Sequence, residues 1–164
     1  MQLGGKAVVI RADDVDTDVL YPGPFLSIQA VDEMAKHLFE GLDPSLRDQL
    51  VGDTVLVVNE NFGTGSSREH VSQAMRASGI RCVLGTSFAR LFYRNCINLG
   101  MPAAVCPEAV VAAQPGSAIH VDTETGEVTV DGLRFAAKPL PPFRQELLVA
   151  GGLVDWAKQG PVGS

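Results

Sequence analysis

The sequence predicts a mixed α/β fold of the β/β/α kind, a mixed sheet flanked by helices, and three observations predict it. Short apolar, β-branched runs such as Thr54–Val58 alternate with stretches whose apolar residues recur at helical spacing. Three further short runs in the last third, separated by Thr125-Gly126 and Asp131-Gly132, read as a β-meander. Seventeen glycines and ten prolines are spread along the 164 residues, marking many turns instead of a disordered tail. The whole of 1–164 is expected to form one domain, with residues 160–164 frayed.

Lys6–Arg11 is the first strand and runs into Asp13-Asp14-Val15-Asp16-Thr17-Asp18, a segment with four carboxylates in six residues. Such a cluster repels itself unless water or a positive group meets it. It reads either as a solvated acidic turn or as a turn that points one carboxylate, Asp18, into a cleft. Tyr21-Pro22-Gly23-Pro24-Phe25-Leu26 reads as a loop, because two prolines around a glycine oppose regular structure. From Ser27, a plausible N-cap, Ile28, Val31, Ala35, Leu38 and Phe39 follow helical spacing up to Gly41. Asp43-Pro44 signals a second, short helix over 44–50.

Thr54–Val58 is a strand, and the segment after it, residues 59–70, is the densest in chemistry: Asn-Glu-Asn-Phe-Gly-Thr-Gly-Ser-Ser-Arg-Glu-His. A strand, a Gly-rich turn and a helix start suit an anion, since the first N–H groups of a helix lack intrahelical acceptors and the macrodipole favours negative charge. Arg68 adds a planar donor fork for a carboxylate or phosphate. The plainer reading is structural: Ser66-x-x-Glu69 is a capping-box pattern, and Gly63 and Gly65 serve a tight turn.

The following helix closes at Gly79, and Cys82–Gly85 is a short buried strand. A helix over 88–98 stops at Gly100; its Arg90 and Arg94 lie at i, i+4, on the surface or facing an acidic partner. Residues 101–106 resemble a return strand, followed by strands Ala118–Asp122, Glu127–Val130 and Leu133–Ala136. A last segment runs from Pro141-Pro142 past Gly151-Gly152 to Trp156.

A net charge of −6 makes nucleic acid and acidic membrane surfaces poor partners. No apolar run approaches the roughly 18 residues of a membrane span, and no secretory leader is visible, so a cytoplasmic protein is expected. Cys82, Cys96 and Cys106 include no C-x-x-C pair, which argues against a disulfide framework and against a self-contained zinc or iron–sulfur site. His37, His70 and His120 are too scattered to suggest a metal site.

Asp16-Thr17-Asp18, the string from Asn61 to His70, Ser87–Asn95 and Gly151-Gly152-Leu153 occur in an order that resembles the swivel domain of the aconitase family. In length the chain is similar to its free-standing form, the small subunits of isopropylmalate dehydratases, and the resemblance covers nearly the whole chain. It implies a hydro-lyase subunit of leucine biosynthesis that isomerises 2-isopropylmalate by removing and re-adding water. It implies a large partner subunit carrying a [4Fe–4S] cluster, against which this chain closes as a lid, inactive alone. The resemblance makes Ser66 the base, Ser67 and Arg68 the binders of a substrate carboxylate, and Asp18 the group that orients a histidine of the partner. Capping and catalysis then compete for the Ser66 hydroxyl, and the resemblance assigns it to catalysis, leaving Ser67 or the backbone to cap.

In tricarboxylate-using members such as homoaconitase, the loop after the first Asp carries an Arg. The matching stretch here, which includes Leu26 and Ser27, has no cation, which favours an alkylmalate and does not separate isopropylmalate from citramalate or dimethylmalate. Thr64 stands where many bacterial small subunits have Cys, and Val71-Ser72 where they have Ala-Pro, departures that point to a shorter, archaeal-like branch. A non-catalytic anion-binding or regulatory module using the same helix start is the alternative from another class. The exposed lid surface could self-associate in the partner's absence.

Overall fold

Apolar alternation along the strands dictates the layers. In the computed structural model, which describes residues 1–65 and 69–159, β1 (Gln2–Ile10), β2 (Thr54–Val58), β3 (Ile80–Gly85) and β4 (Ala103–Val105) pair in parallel. β5 (Ala118–Asp122), β6 (Glu127–Val130) and β7 (Leu133–Ala136) form the antiparallel meander, and β5 pairs with the free edge of β1. Among the described residues this is one mixed seven-stranded sheet of order β4-β3-β2-β1-β5-β6-β7. β2 is buried along its whole length, as a central parallel strand with both faces covered must be.

Successive side chains point to opposite faces, so the sheet feeds two cores. Leu56 and Val58 face a core completed by Met34, Met75 and Phe92, from α2 (Val31–Ala35), α3 (Glu69–Ala77) and α4 (Arg90–Asn98). Val55 and Val57 face a second core, where Ala109 and Val110 of α5 (Pro107–Ala112) meet Val121, Val128 and Val130 of the meander. A register shift between Thr54 and Val55 lets Ile80 and Cys82, which an unbroken strand would put on one face, enter different cores. Between them Arg81 turns outward to Asp53, with Nε to Oδ1 at 2.8 Å. Leu147 and Leu148 of α6 (Pro142–Ala150) pack with Ile97 of α4, and Trp156 of α7 (Leu153–Gln159) leans on that cluster.

Several local expectations change. The acidic turn holds one helical turn, α1 (Thr17–Leu20), capped by Asp16. The loop of two prolines contains a 3-10 turn over Gly23–Phe25. The helix expected from Ser27 to Gly41 is regular only over α2, with Ala30 and not Ser27 at its N-cap; Phe39, at φ 66, breaks the helical path before Gly41. α5 was not expected: six residues between a return strand and a meander carry too little periodicity to reveal a helix, although Pro107 at its first turn is a regular start. No helix among the described residues is long and apolar enough to cross a membrane.

Candidate active site

Because β1, β2 and β3 are parallel, the segments that leave their carboxyl ends emerge at one edge of the sheet. Open α/β sheets bind ligands at that edge. Here it collects the acidic turn after β1, the Gly-rich segment after β2 and the Ser87–Ala89 segment after β3, three stretches far apart in sequence.

Backbone hydrogen bonds stitch them together. Val15 O accepts from Gly63 N at 2.8 Å and from Thr64 N at 3.0 Å, Thr64 O accepts from Thr17 N at 2.9 Å, and Glu60 O from Asp14 N at 2.9 Å. On the other side Phe62 N donates to Ser87 O at 3.2 Å, Ala89 N to Phe62 O at 3.0 Å, and Asn61 N to Ser87 Oγ at 2.7 Å. The carboxylates that should repel one another are met by N–H donors. Asp13 accepts from Glu60 N at 3.2 Å, Asp14 from the Asn61 amide at 2.9 Å, and Asp16 from Asp18 N at 2.7 Å.

Two glycines are explained by contact as well as by conformation. Gly63 has φ +90, and a Cβ there would lie 2.2 Å from Cγ of Phe92. Gly65 has φ +86, and a Cβ would lie 2.6 Å from Oδ2 of Asp16. The segment therefore passes between an aromatic wall and the cap of α1 with no room for a side chain on either glycine.

Of the expected site residues, Asp18 is exposed on α1 beside this edge. Leu26, 37% exposed, and Ser27 end the 3-10 turn of the loop, with Leu26 N donating to Gly23 O at 3.1 Å. Ser66, Ser67 and Arg68 lie outside the described residues; their neighbours Gly65 and Glu69 flank them at this edge and at the start of α3. Arg90 and Arg94 are both exposed on α4.

Residue spacing missed a set of rings. Tyr21, fully buried, stacks on His70 at a centroid distance of 5.4 Å, and Phe25 stacks on His37 at 3.9 Å. These pairs are separated by 49 and 12 positions, and no periodic pattern links them.

The cysteines do not converge. Cys96 lies in the first core, Cys82 and Cys106 in the second, on the opposite face of the sheet. Burial pushes the thiols of Cys82 and Cys96 up to about 12. This donor set does not fit an iron–sulfur cluster, which needs thiolates gathered at one point. Cys82 and Cys96 are expected to resist iodoacetamide at pH 8 in the folded chain and to react once denaturant is added, read by mass spectrometry. Because burial penalises the thiolate, the fold should keep its stability below the ordinary thiol range and lose stability as pH rises through that range toward 12.

Residues 43–105 match the family described as the aconitase C-terminal domain. Over 160 residues, 96% of this chain and 94% of the relative, the sequence is 48% identical to 3-isopropylmalate dehydratase small subunit 1 of Methanopyrus kandleri. The chain belongs to the 3-isopropylmalate dehydratase small-subunit family. Another relative in that sequence neighbourhood, the 2,3-dimethylmalate dehydratase small subunit of Eubacterium barkeri, is 42% identical over 92% of this chain and 94% of its own length. The crystal structure of 3-isopropylmalate dehydratase from Methanocaldococcus jannaschii superposes with a TM-score of 0.89 at 34% identity, covering 97% of this chain and 95% of that one. The small-subunit family accounts for the swivel-type sheet, and a small subunit implies a large one.

Proposed function

We propose that this chain is the small subunit of a hydro-lyase that isomerises 2-isopropylmalate to 3-isopropylmalate in leucine biosynthesis, working as a single swivel-type domain in the cytoplasm. The observation that carries the reading is the near-full-length identity to a 3-isopropylmalate dehydratase small subunit, joined to a Gly-rich segment locked at the carboxyl ends of three parallel strands. On this reading the large subunit carries a [4Fe–4S] cluster, and the spread of this chain's cysteines over two cores supports that division. When bound there it supplies a Lewis acid for the substrate hydroxyl and a carboxylate.

This chain supplies the rest of the polar machinery. Ser66 takes the proton from the carbon next to a carboxylate. A serine hydroxyl is a poor base, so its alkoxide needs stabilisation from N–H donors and the positive end of α3, with the Arg68 guanidinium close in sequence. Ser67 and Arg68 hold a substrate carboxylate. Asp18 orients a histidine of the large subunit, and it is exposed on α1 beside this edge.

Leu26 and Ser27 read the substrate's variable group. An apolar side chain there suits an alkyl substituent and would strand a third carboxylate without a counter-charge. Leu26→Arg is expected to shift relative kcat/KM toward homocitrate by about 10-fold or more, the scale of a charge-assisted hydrogen bond gained. Reconstitution with a cluster-bearing large subunit, assayed on 2-isopropylmalate, citramalate, 2,3-dimethylmalate and homocitrate, tests the whole reading. A best rate on 2,3-dimethylmalate would favour the second reading, for which the Eubacterium barkeri relative speaks.

A further inference from the structure

One ring stack ties the loop to the start of α3 and another ties it to the segment after α2, and the chemistry proposed above uses neither. The Tyr21 and His70 rings lie 5.4 Å apart at 22°. The Tyr21 hydroxyl donates to the carbonyl of Phe25 at 2.7 Å, and Phe25 stacks on His37 at 11°. His70 stands in the first turn of α3, two positions after Arg68, and Phe25 directly precedes Leu26.

Pro22 and Pro24 fix backbone angles inside the loop, yet they do not fix where the loop stands relative to α3. That placement needs a tertiary contact, and the Tyr21 ring provides it by stacking on His70, while the Tyr21 hydroxyl closes the loop on itself through the Phe25 carbonyl. We propose that Tyr21 and His70 are positioning residues whose stacked rings set the substrate-reading loop against the start of α3. The proposal rests on Leu26 and Ser27 reading the substrate. Telling an isopropyl from a methyl group is a matter of one or two carbon atoms in a pocket, which a displacement of about 1 Å would blur. The same contacts hold the loop's own hydrogen bonds, Phe25 N to Pro22 O, Leu26 N to Gly23 O and Ile28 N to Phe25 O, each 3.1 Å.

The test pairs kinetics of the two-subunit enzyme on 2-isopropylmalate and citramalate with amide hydrogen exchange of the isolated chain. His70→Ala is expected to lower the preference for 2-isopropylmalate about 3- to 10-fold, the scale of one lost aromatic contact, mainly through KM. It should also speed exchange at Phe25, Leu26 and Ile28 while β2 stays protected. His70→Phe keeps a stacking ring and should keep both properties, whereas Tyr21→Phe should speed exchange at the same three amides by losing its hydroxyl. Equal losses of kcat on both substrates with loop exchange unchanged would overturn the proposal. So would a His70→Phe variant that behaves like His70→Ala, since that would point to the imidazole nitrogens and not to stacking. Should His70→Ala fail to fold, His70→Gln, polar and without a ring, carries the same expectation. Leu26→Arg separates the two ideas: if its substrate preference does not move, the loop is not the reader; if it moves while His70→Ala leaves preference unaltered, positioning alone is refuted.

Discussion

Ser66→Ala in the reconstituted two-subunit enzyme is expected to lose turnover on 2-isopropylmalate by about 10³-fold, within the range for removing a general base. On the proposed roles KM should change little, because the hydroxyl would act on a proton that moves only in the transition state, whereas carboxylate binding would fall to Ser67 and Arg68. The alternative role of Ser66, as the cap of α3, makes a different forecast. Loss of a cap costs about 1 kcal/mol of stability and leaves the rate of folded enzyme intact. Steady-state kinetics beside a urea titration of the isolated variant decides between them. Full turnover with a lowered urea midpoint would return Ser66 to capping and remove the catalytic assignment.

Gly63→Ala should be among the most damaging single methyls at this edge. The new Cβ would stand 2.2 Å from Cγ of Phe92, and the residue would have to hold φ +90. Phe92 cannot yield easily: it is 3% exposed, meets Phe62 edge-on at 5.3 Å and stacks near Phe88 at 6.1 Å. Overpacking and left-handed strain together are expected to cost about 3 kcal/mol or more, read as a lowered urea midpoint at unchanged slope. Gly65→Ala should differ in kind. Its Cβ would press on the carboxylate of Asp16, the cap of the four-residue helix that carries Asp18. Activity should therefore fall further than stability does. A Gly63→Ala variant of unchanged midpoint would mean that the aromatic wall can move.

The strands were legible because each carries its own signal: β2, β3 and the meander are apolar, β-branched or alternating runs bounded by Gly turns. The Gly-rich string was legible as a family mark through its resemblance and through the strand that precedes it. The helix after the two-proline loop was misjudged because apolar spacing reports burial and not helix: Ile28, Ala35, Leu38 and Phe39 are buried or partly buried without forming one helix, and Val31 is exposed. The acidic turn was read as a choice between a solvated run and one functional carboxylate. Its actual solution, donors from Glu60, Asn61 and Asp18, draws on backbone and amide groups, two of them 47 positions away, and backbone N–H groups have no sequence signature. The Tyr21–His70 stack was hidden for the same reason of distance.

The stitching of the acidic turn to the Gly-rich segment also bears on the order in which the chain acquires its chemistry. Closing a loop of some 50 residues costs about 3 kcal/mol in chain entropy. The parallel pairing of β1 with β2, from Lys6 opposite Thr54 to Ile10 opposite Val58, meets that cost before any bond at the edge can form. The half-site is thus a late and dependent product of folding, gained and lost with the sheet rather than by itself. A large subunit would meet either an unfolded chain or a fully folded one, with little in between. Activity and far-ultraviolet ellipticity, followed through the same urea titration, should accordingly fall together.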